Sequence, residues 1–420
     1  MEQEASSDNV AKAGLIKLNQ LEFKLPPDLS VVVSRTMTSQ FFSQNAYNPG
    51  STAVCILNTG ASYVFGGNSY LAFTFTNESK TAGTPSVASF GSGSAVNLIR
   101  RLTLTSRSGD VLERIDALNL LTHIQSRYNH DRTWYESTGA NMGYGAPNHT
   151  AGGSSRYVIP MSEISGLFKY PFLLPSALCS GMRVEIEWES GLNALVGTTP
   201  TDVCSYSISD IRIEADSYQL TDLILRSLNE MASQTGLEVV YSTFFNTQGI
   251  RSTSSINIES RKSVSRALTA VMRERVPKKP VAADTDAFVS ELITADYGCT
   301  DLQWRCGSLY LPNTSIRNAN PILNSPELYA MTMRAFGKFK STSQASSMKP
   351  SEYRAGHQVF GVDLERSTST ELSGIPISNS RVLAANLQFK SNPEVAMNVD
   401  LFLEFVTLAR VFLSNSTIEL

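Results

Sequence analysis

Apolar and polar residues alternate along much of this chain with the two-residue period that belongs to strands. The last segment, "DLFLEFVTLARVFLSNSTIEL", shows it plainly. Val399, Leu401, Leu403 and Phe405 fall on every other position, and after a break at 407–410 the pattern resumes with Val411, Leu413, Ile418 and Leu420. Two strands are expected there, 399–405 and 410–420. "SYLAFTFTN" (69–77), "LIRRLTLTS" (98–106), "RYVIPM" (156–161), "RVEIEW" (183–188) and "ISDIRIEADSY" predict strands in the first half. In "RVEIEW", Val184, Ile186 and Trp188 share one face while Arg183, Glu185 and Glu187 share the other, a core side and a wet side. "LQWRCGSLYLP" (302–312), "HQVFGVDLE" (357–365) and "RVLAANLQF" (381–389) continue the series in the second half.

Three stretches switch to helical spacing. Over 112–128, Leu112, Ile115, Leu118, Leu121, Ile124 and Tyr128 form one stripe. Over 220–234, Leu220, Leu223, Ile224, Leu228 and Met231 do the same. "SPELYAMTMRAFG" offers Ser325 as N-cap, Pro326 at the first helical position and Glu327 behind it. Set in order, the elements repeat: strand, helix, long loop, then closing strands, with each helix about 70 residues ahead of the penultimate strand. The helix at 220–234 falls between the copies and serves as connector. The predicted division is an N-terminal arm 1–44, a first β unit 45–219, a linker helix 220–235 and a second β unit 236–420. Many short strands with one helix tucked into each copy suit two tandem antiparallel jelly-roll β-sandwiches, an all-β fold with a few short helices.

Composition sharpens this picture. Charged residues are only 17% of the chain, and Ser, Thr, Asn and Gly fill the gap, as in strands joined by turns. The net charge of −3 argues against a general polyanion binder. No run approaches about 18 uninterrupted apolar residues, so no transmembrane segment is expected. "MEQEASSDNVAKAG" has neither a basic arm nor a signal-peptide core. The five scattered cysteines form no Cys-x-x-Cys pair and read as buried thiols in a reduced compartment. The four Asn-x-Ser/Thr sequons (Asn77, Asn148, Asn313, Asn415) read as chance.

Candidate chemistry is sparse. There is no Gly-x-Ser-x-Gly elbow, phosphate loop or His-Glu-x-x-His. "GYGAPN" (143–148) lacks a third glycine and a following helix, so it reads as a turn. His123 and His130 (beside Asp131) want a third metal ligand, and Cys299 and Cys306 want a second pair. Glu185 and Glu187 alternate on one strand and so point to solvent together, not across a cleft. No catalytic, cofactor or metal site is assigned, and an enzyme is not expected. The one charged feature is "ESRKSVSRALTAVMRERVPKKP" (259–280), where Arg261, Lys262, Arg266, Arg273, Arg275, Lys278 and Lys279 could face a genome or a partner. Without interleaved aromatics it offers no stacking platform for single strands and no specific nucleic-acid site.

Several stretches together resemble the double jelly-roll major capsid proteins, the lineage of adenovirus hexon, the virophages, polinton-like viruses and adintoviruses. "FFSQNAYNPGSTAVCILNTGASYVFGGNSYLAFTFTN" is similar to the opening of the first jelly roll in that family, and "AVNLIRRLTLTSRSGDVLERIDALNLL" to its strand, turn, "ER" and helix segment. "LQWRCGSLYLPNTSIRNANPILNSPELY" resembles the start of the second unit. "SGIPISNSRVLAANLQF" and the C-terminal segment resemble the closing strands. The resemblance implies homotrimers with a pseudo-hexagonal footprint that tile an icosahedral shell around a DNA genome. It implies penton and minor capsid proteins as further partners, no cofactor, and residence in the virion after synthesis in the host cytoplasm, with assembly there or in the nucleus. The compact length leaves room only for short outward loops, at 129–155 and 277–300. The segment 12–29, apolar at intervals before Pro26-Pro27, is expected to lie under the shell. Two other readings compete: a single jelly-roll RNA-virus capsid protein with a projection domain, disfavoured by the acidic start and the repeat, and a two-domain carbohydrate-binding adhesin. The latter would want an aromatic platform, whereas Trp134, Trp188 and Trp304 are scattered.

Overall fold

The computed structural model describes residues 31–197, 202–260, 265–274, 299–317, 321–339, 346, 348–356, 359–365, 374, 383–389, 397–412 and 418–419. Setting aside strands of two residues, each half contributes eight among the described residues. The first half holds β1 (Val32–Phe41), β2 (Thr52–Ile56), β3 (Tyr63–Asn77), β4 (Ile99–Thr105), β5 (Val111–Asp116), β6 (Ser154–Pro160), β7 (Arg183–Trp188) and β8 (Tyr206–Leu220). The second holds β9 (Leu237–Arg251), β10 (Ser255–Ser260), β11 (Ser265–Glu274), β12 (Cys299–Cys306), β13 (Leu309–Arg317), β14 (Phe360–Asp363), β15 (Leu383–Phe389) and β16 (Met397–Val411).

Their order in space is the same twice. In the first half the sheets run β1-β8-β3-β6 and β2-β7-β4-β5; in the second they run β9-β16-β11-β14 and β10-β15-β12-β13. Each half therefore joins its first, last, third and sixth strands in one sheet and its second, seventh, fourth and fifth in the other. All these pairings are antiparallel. That is a jelly roll, made twice. Helix α1 (Leu118–Asn129) lies between the fifth and sixth strands of the first copy, α3 (Pro321–Ala335) lies at the same place in the second, and α2 (Asp222–Gln234) links β8 to β9.

Burial follows the alternation. Strand β7 buries Val184, Ile186 and Trp188 and leaves Arg183, Glu185 and Glu187 toward solvent. On the wet face Glu187 pairs with Arg100 and Arg101 while Arg183 pairs with Glu185. Trp188 meets Phe73 of β3 edge-on with ring centroids 5.5 Å apart, closing the first sandwich from both sheets. Trp304 of β12 is fully buried in the second copy.

Five local expectations are corrected. The helix over 112–128 begins only at Leu118; 111–116 is strand β5, paired with β4. Leu112 and Ile115 are buried either way, and Ala117, at φ 51°, makes the reversal between strand and helix. "LQWRCGSLYLP" is a hairpin rather than one strand, because Gly307 (φ 61°) turns the chain between β12 and β13. Helix α3 begins at Pro321, placing Pro326 inside it rather than at its start. The two closing strands are one, β16, which pairs with β9 over its whole length; Ile418–Glu419 folds back on Arg410 and Val411. Residues 32–41, expected within the arm, form β1, and the segment 12–29 lies outside the described residues.

Candidate functional site

The two copies meet at a seam built from a few named groups. Strand β5 is the edge of one sheet in the first copy, and β9 is the edge of one sheet in the second. An uncovered sheet edge carries unpaired backbone groups, and here each edge shelters the other. The Tyr241 hydroxyl donates to the Leu112 carbonyl. Glu113, next along β5, is 2% exposed. Its carboxyl accepts from the Thr243 hydroxyl (2.6 Å), the Gly166 N–H (2.8 Å), the Leu167 N–H (3.4 Å) and the Ser165 hydroxyl. The Ser346 hydroxyl donates to the Arg127 carbonyl at 2.9 Å, and Tyr128 stacks on Phe336 at 4.7 Å. Burial raises the Glu113 pKa, with the four donors pulling against it.

Beside Glu113 the seam opens into a cavity of about 770 Å³. Ile115, Leu118 and Leu121 line it from the first copy and Phe244 and Phe336 from the second, with charged groups from both. Arg266 donates from Nε to Glu365 Oε1 (2.8 Å) and from a terminal nitrogen to Ser242 Oγ (2.9 Å), and it stands 4.0 Å from Glu404. Burial raises the Glu404 pKa, with Arg266 and Lys169 opposing and Glu365 adding to it. Burial, then repulsion from Lys169, lowers that of Lys338, which Asp131 partly offsets. His130 bonds Glu163 at 3.0 Å and lies flat on Trp134.

Arg266, the basic-stretch cation whose side chain is described, is thus held in the seam. Arg273 lies in β11 opposite Asn398. Arg261, Lys262, Arg275, Lys278 and Lys279 lie outside the described residues. Among the described residues no group of three or more His, Cys, Asp or Glu could hold a metal, and no helix is long and apolar enough to cross a membrane. His149 bonds the Tyr157 hydroxyl at 2.9 Å, and burial lowers its pKa. Asn77, one of the sequon asparagines, is fully buried and donates to the Ser86 and His149 carbonyls. Sequence reasoning missed Glu113. Its available signal was a carboxylate between Leu112 and Ile115 in a strand whose neighbours are core, but reading 112–128 as a helix put it on a wet face.

Two apolar surfaces complete the picture. The outward face of β1 exposes Val33 (66%), Met37 (47%) and Phe41 (66%) around Arg35, which ion-pairs with the buried Asp216 of β8 at 2.8 Å. Burial works to raise the Asp216 pKa, but hydrogen bonds from Arg35, Asn68 and Tyr218 outweigh it and hold the carboxyl low. Under α2 runs a groove of about 710 Å³ lined by Val31, Phe172, Leu220, Ile224, Leu228 and Met231. Only Ala232 of α2 is fully buried.

No family model matches the sequence, and no curated protein matches it. Solved structures do. The Faustovirus major capsid protein superposes with a TM-score of 0.63 at 7% identity, over 97% of this chain and 98% of that one. VP54 of the virus PBCV-1 gives 0.59 at 10% identity over 94% and 98%. The mavirus major capsid protein gives 0.51 at 12% over 94% and 92%. At these identities the likeness is one of fold, and that fold is the double jelly roll.

Proposed function

We propose that this chain is a viral major capsid protein, assembling as pseudo-hexagonal homotrimers that tile an icosahedral shell around a DNA genome. The observation that carries the reading is the twice-made jelly roll, whose likeness to capsid proteins takes in nearly the whole of both chains. A protein whose two halves share one topology presents similar flanks twice, which suits a repeating tile. In this reading residues 45–219, with β1 added, and 236–420 are the two building units joined through 220–235. Its partners are copies of itself, then penton and minor capsid proteins, and its place is the virion. The basic residues of 259–280 other than Arg266 are the proposed contacts to the shell interior, and no catalytic role is assigned to the seam.

Mass measurement in solution tests this. A particle three times the 45.8 kDa chain that forms closed shells under the electron microscope is expected. A monomer at every concentration, or a monomer that binds oligosaccharide, refutes it.

A further inference from the structure

Helix α2 stands off the body of the molecule across the groove of about 710 Å³. Of its residues only Ala232 is fully buried, although Ile224, Leu228 and Met231 all line the groove. Phe172 lines it from the first copy, and Leu237 and Val239 from the second. Among the described lining residues only Glu238 is charged, and its carboxylate already pairs with Arg410 at 2.6 Å. An apolar gap between a helix and its support forfeits dispersion contacts on both walls, so it calls for apolar side chains to fill it.

The chain itself carries such side chains to the end of the groove. Val31, one of the lining residues, accepts through its carbonyl from the Thr221 N–H at 3.1 Å, one residue ahead of α2. β1 is antiparallel to β8, with Val32 opposite Leu220. Followed backward from Val31, the chain therefore runs on past the start of α2, beside the groove. The residues that arrive there read "LEFKLPPDLS" (21–30). Pro26 and Pro27 have no N–H to give to a ladder, so sheet pairing stops short of them. On their far side Leu21, Phe23 and Leu25 alternate with Glu22 and Lys24, which sets three apolar side chains on one face of an extended segment. Phe23 is eight residues from Val31, a reach of up to about 26–29 Å. Ile224 and Met231 are only about 10 Å apart along the helix.

We propose that residues 21–25 fill the groove under α2 of their own chain, laying Leu21, Phe23 and Leu25 against Ile224, Leu228 and Met231. Glu22 and Lys24 then face solvent. The segment acts as a wedge that joins α2 to Phe172 of the first copy and to Val239 of the second, fixing the linker against both halves. Groove and segment belong to one chain, so the contact forms whether or not copies assemble.

Cross-linking of the full chain tests the contact. With Phe23→Cys and Leu228→Cys combined, a short bis-maleimide should give a link at monomer mass on a denaturing gel, with mass spectrometry identifying 23 and 228 as the joined positions. The single variants and the parent should lack it, and absence of the link from the double variant overturns the proposal. Covalent dimers joined through the same two positions mean that the segment of a second copy occupies the groove, and overturn it too. Hydrogen exchange gives a reading that does not depend on the double variant folding. Phe23→Asp should speed exchange of the α2 amides by about tenfold or more, the mark of easier local opening, and leave those of β3 and β16 as in the parent. Unchanged α2 exchange overturns the proposal. So does protection of α2 that the parent shows only with phosphatidylcholine vesicles present, since the groove would then be a lipid-facing surface.

Discussion

Glu113 is where ionisation and the seam are coupled. Its buried carboxyl takes four donors, one of them from the other copy, and burial lifts its pKa above the ordinary 4.5. A carboxyl raised in the folded state contributes its full stability below the ordinary pKa and loses it as pH rises through the folded value. The thermal midpoint should therefore decline as pH rises from below 4.5, the ordinary value for this group. Glu113→Gln, which cannot ionise, should flatten that decline. The variant replaces an acceptor oxygen by a donor facing donors, so at low pH it should be less stable by about 1–3 kcal/mol. Glu404 is raised as well, so the Glu404→Gln profile serves as control. A slope that survives both substitutions would place the titration elsewhere.

At the scale of elements, the seam depends on close approach. A Cβ on Gly166 would fall 1.7 Å from the Ser242 carbonyl oxygen of β9, with no flexible side chain to give way. Gly166→Ala must push the 162–169 segment off β9 and stretch the Glu113 bonds. We expect a loss of about 1–3 kcal/mol, read by denaturant unfolding, whereas alanine at Gly145, whose Cβ would meet nothing within 4 Å but whose φ is +68°, should cost only about 1 kcal/mol of backbone strain. The end of β16 is equally exacting. Leu237 pairs with Val411 and Glu238 with Arg410, and Val411 is 1% exposed. Removing 410–420 strips those partners from β9, the strand that faces the first copy. Loss of about 2–4 kcal/mol is expected from the buried valine and its ladder bonds, seen as reduced soluble yield. Unchanged folding would mean that β16 is complete without its last turn of pairing.

For the whole molecule, two equal halves do not make a symmetric object. Joining the fifth strand of one to the first strand of the other uses one flank of each and leaves the opposite flanks open. The chain is therefore polar, with β1 at one side and β13 at the other. The exposed apolar residues of β1 and β13 would each gain about 1.5–3 kcal/mol if fully covered. Their exposure in a lone chain is a standing liability toward aggregation.

The sequence by itself determined five of the eight longer strands of the first half (β3, β4, β6, β7 and β8), because alternation and burial coincide wherever one face of a strand is wet, as in "RVEIEW"; it did not find β1 or β2. It also determined that the order of elements repeats, since each copy must place one helix between its fifth and sixth strands. It failed where apolar residues serve two periods at once. Leu112 and Ile115 fit a helix stripe and a half-buried strand equally, and only the pairing of 111–116 with β4 decided between them. Likewise the break at 407–410 read as the end of a strand, although β9 supplies partners straight through it. The seam, Glu113 and the uncovered flanks belong wholly to the tertiary structure. A contact between distant edges depends on how two sandwiches lie side by side, and no local pattern carries that.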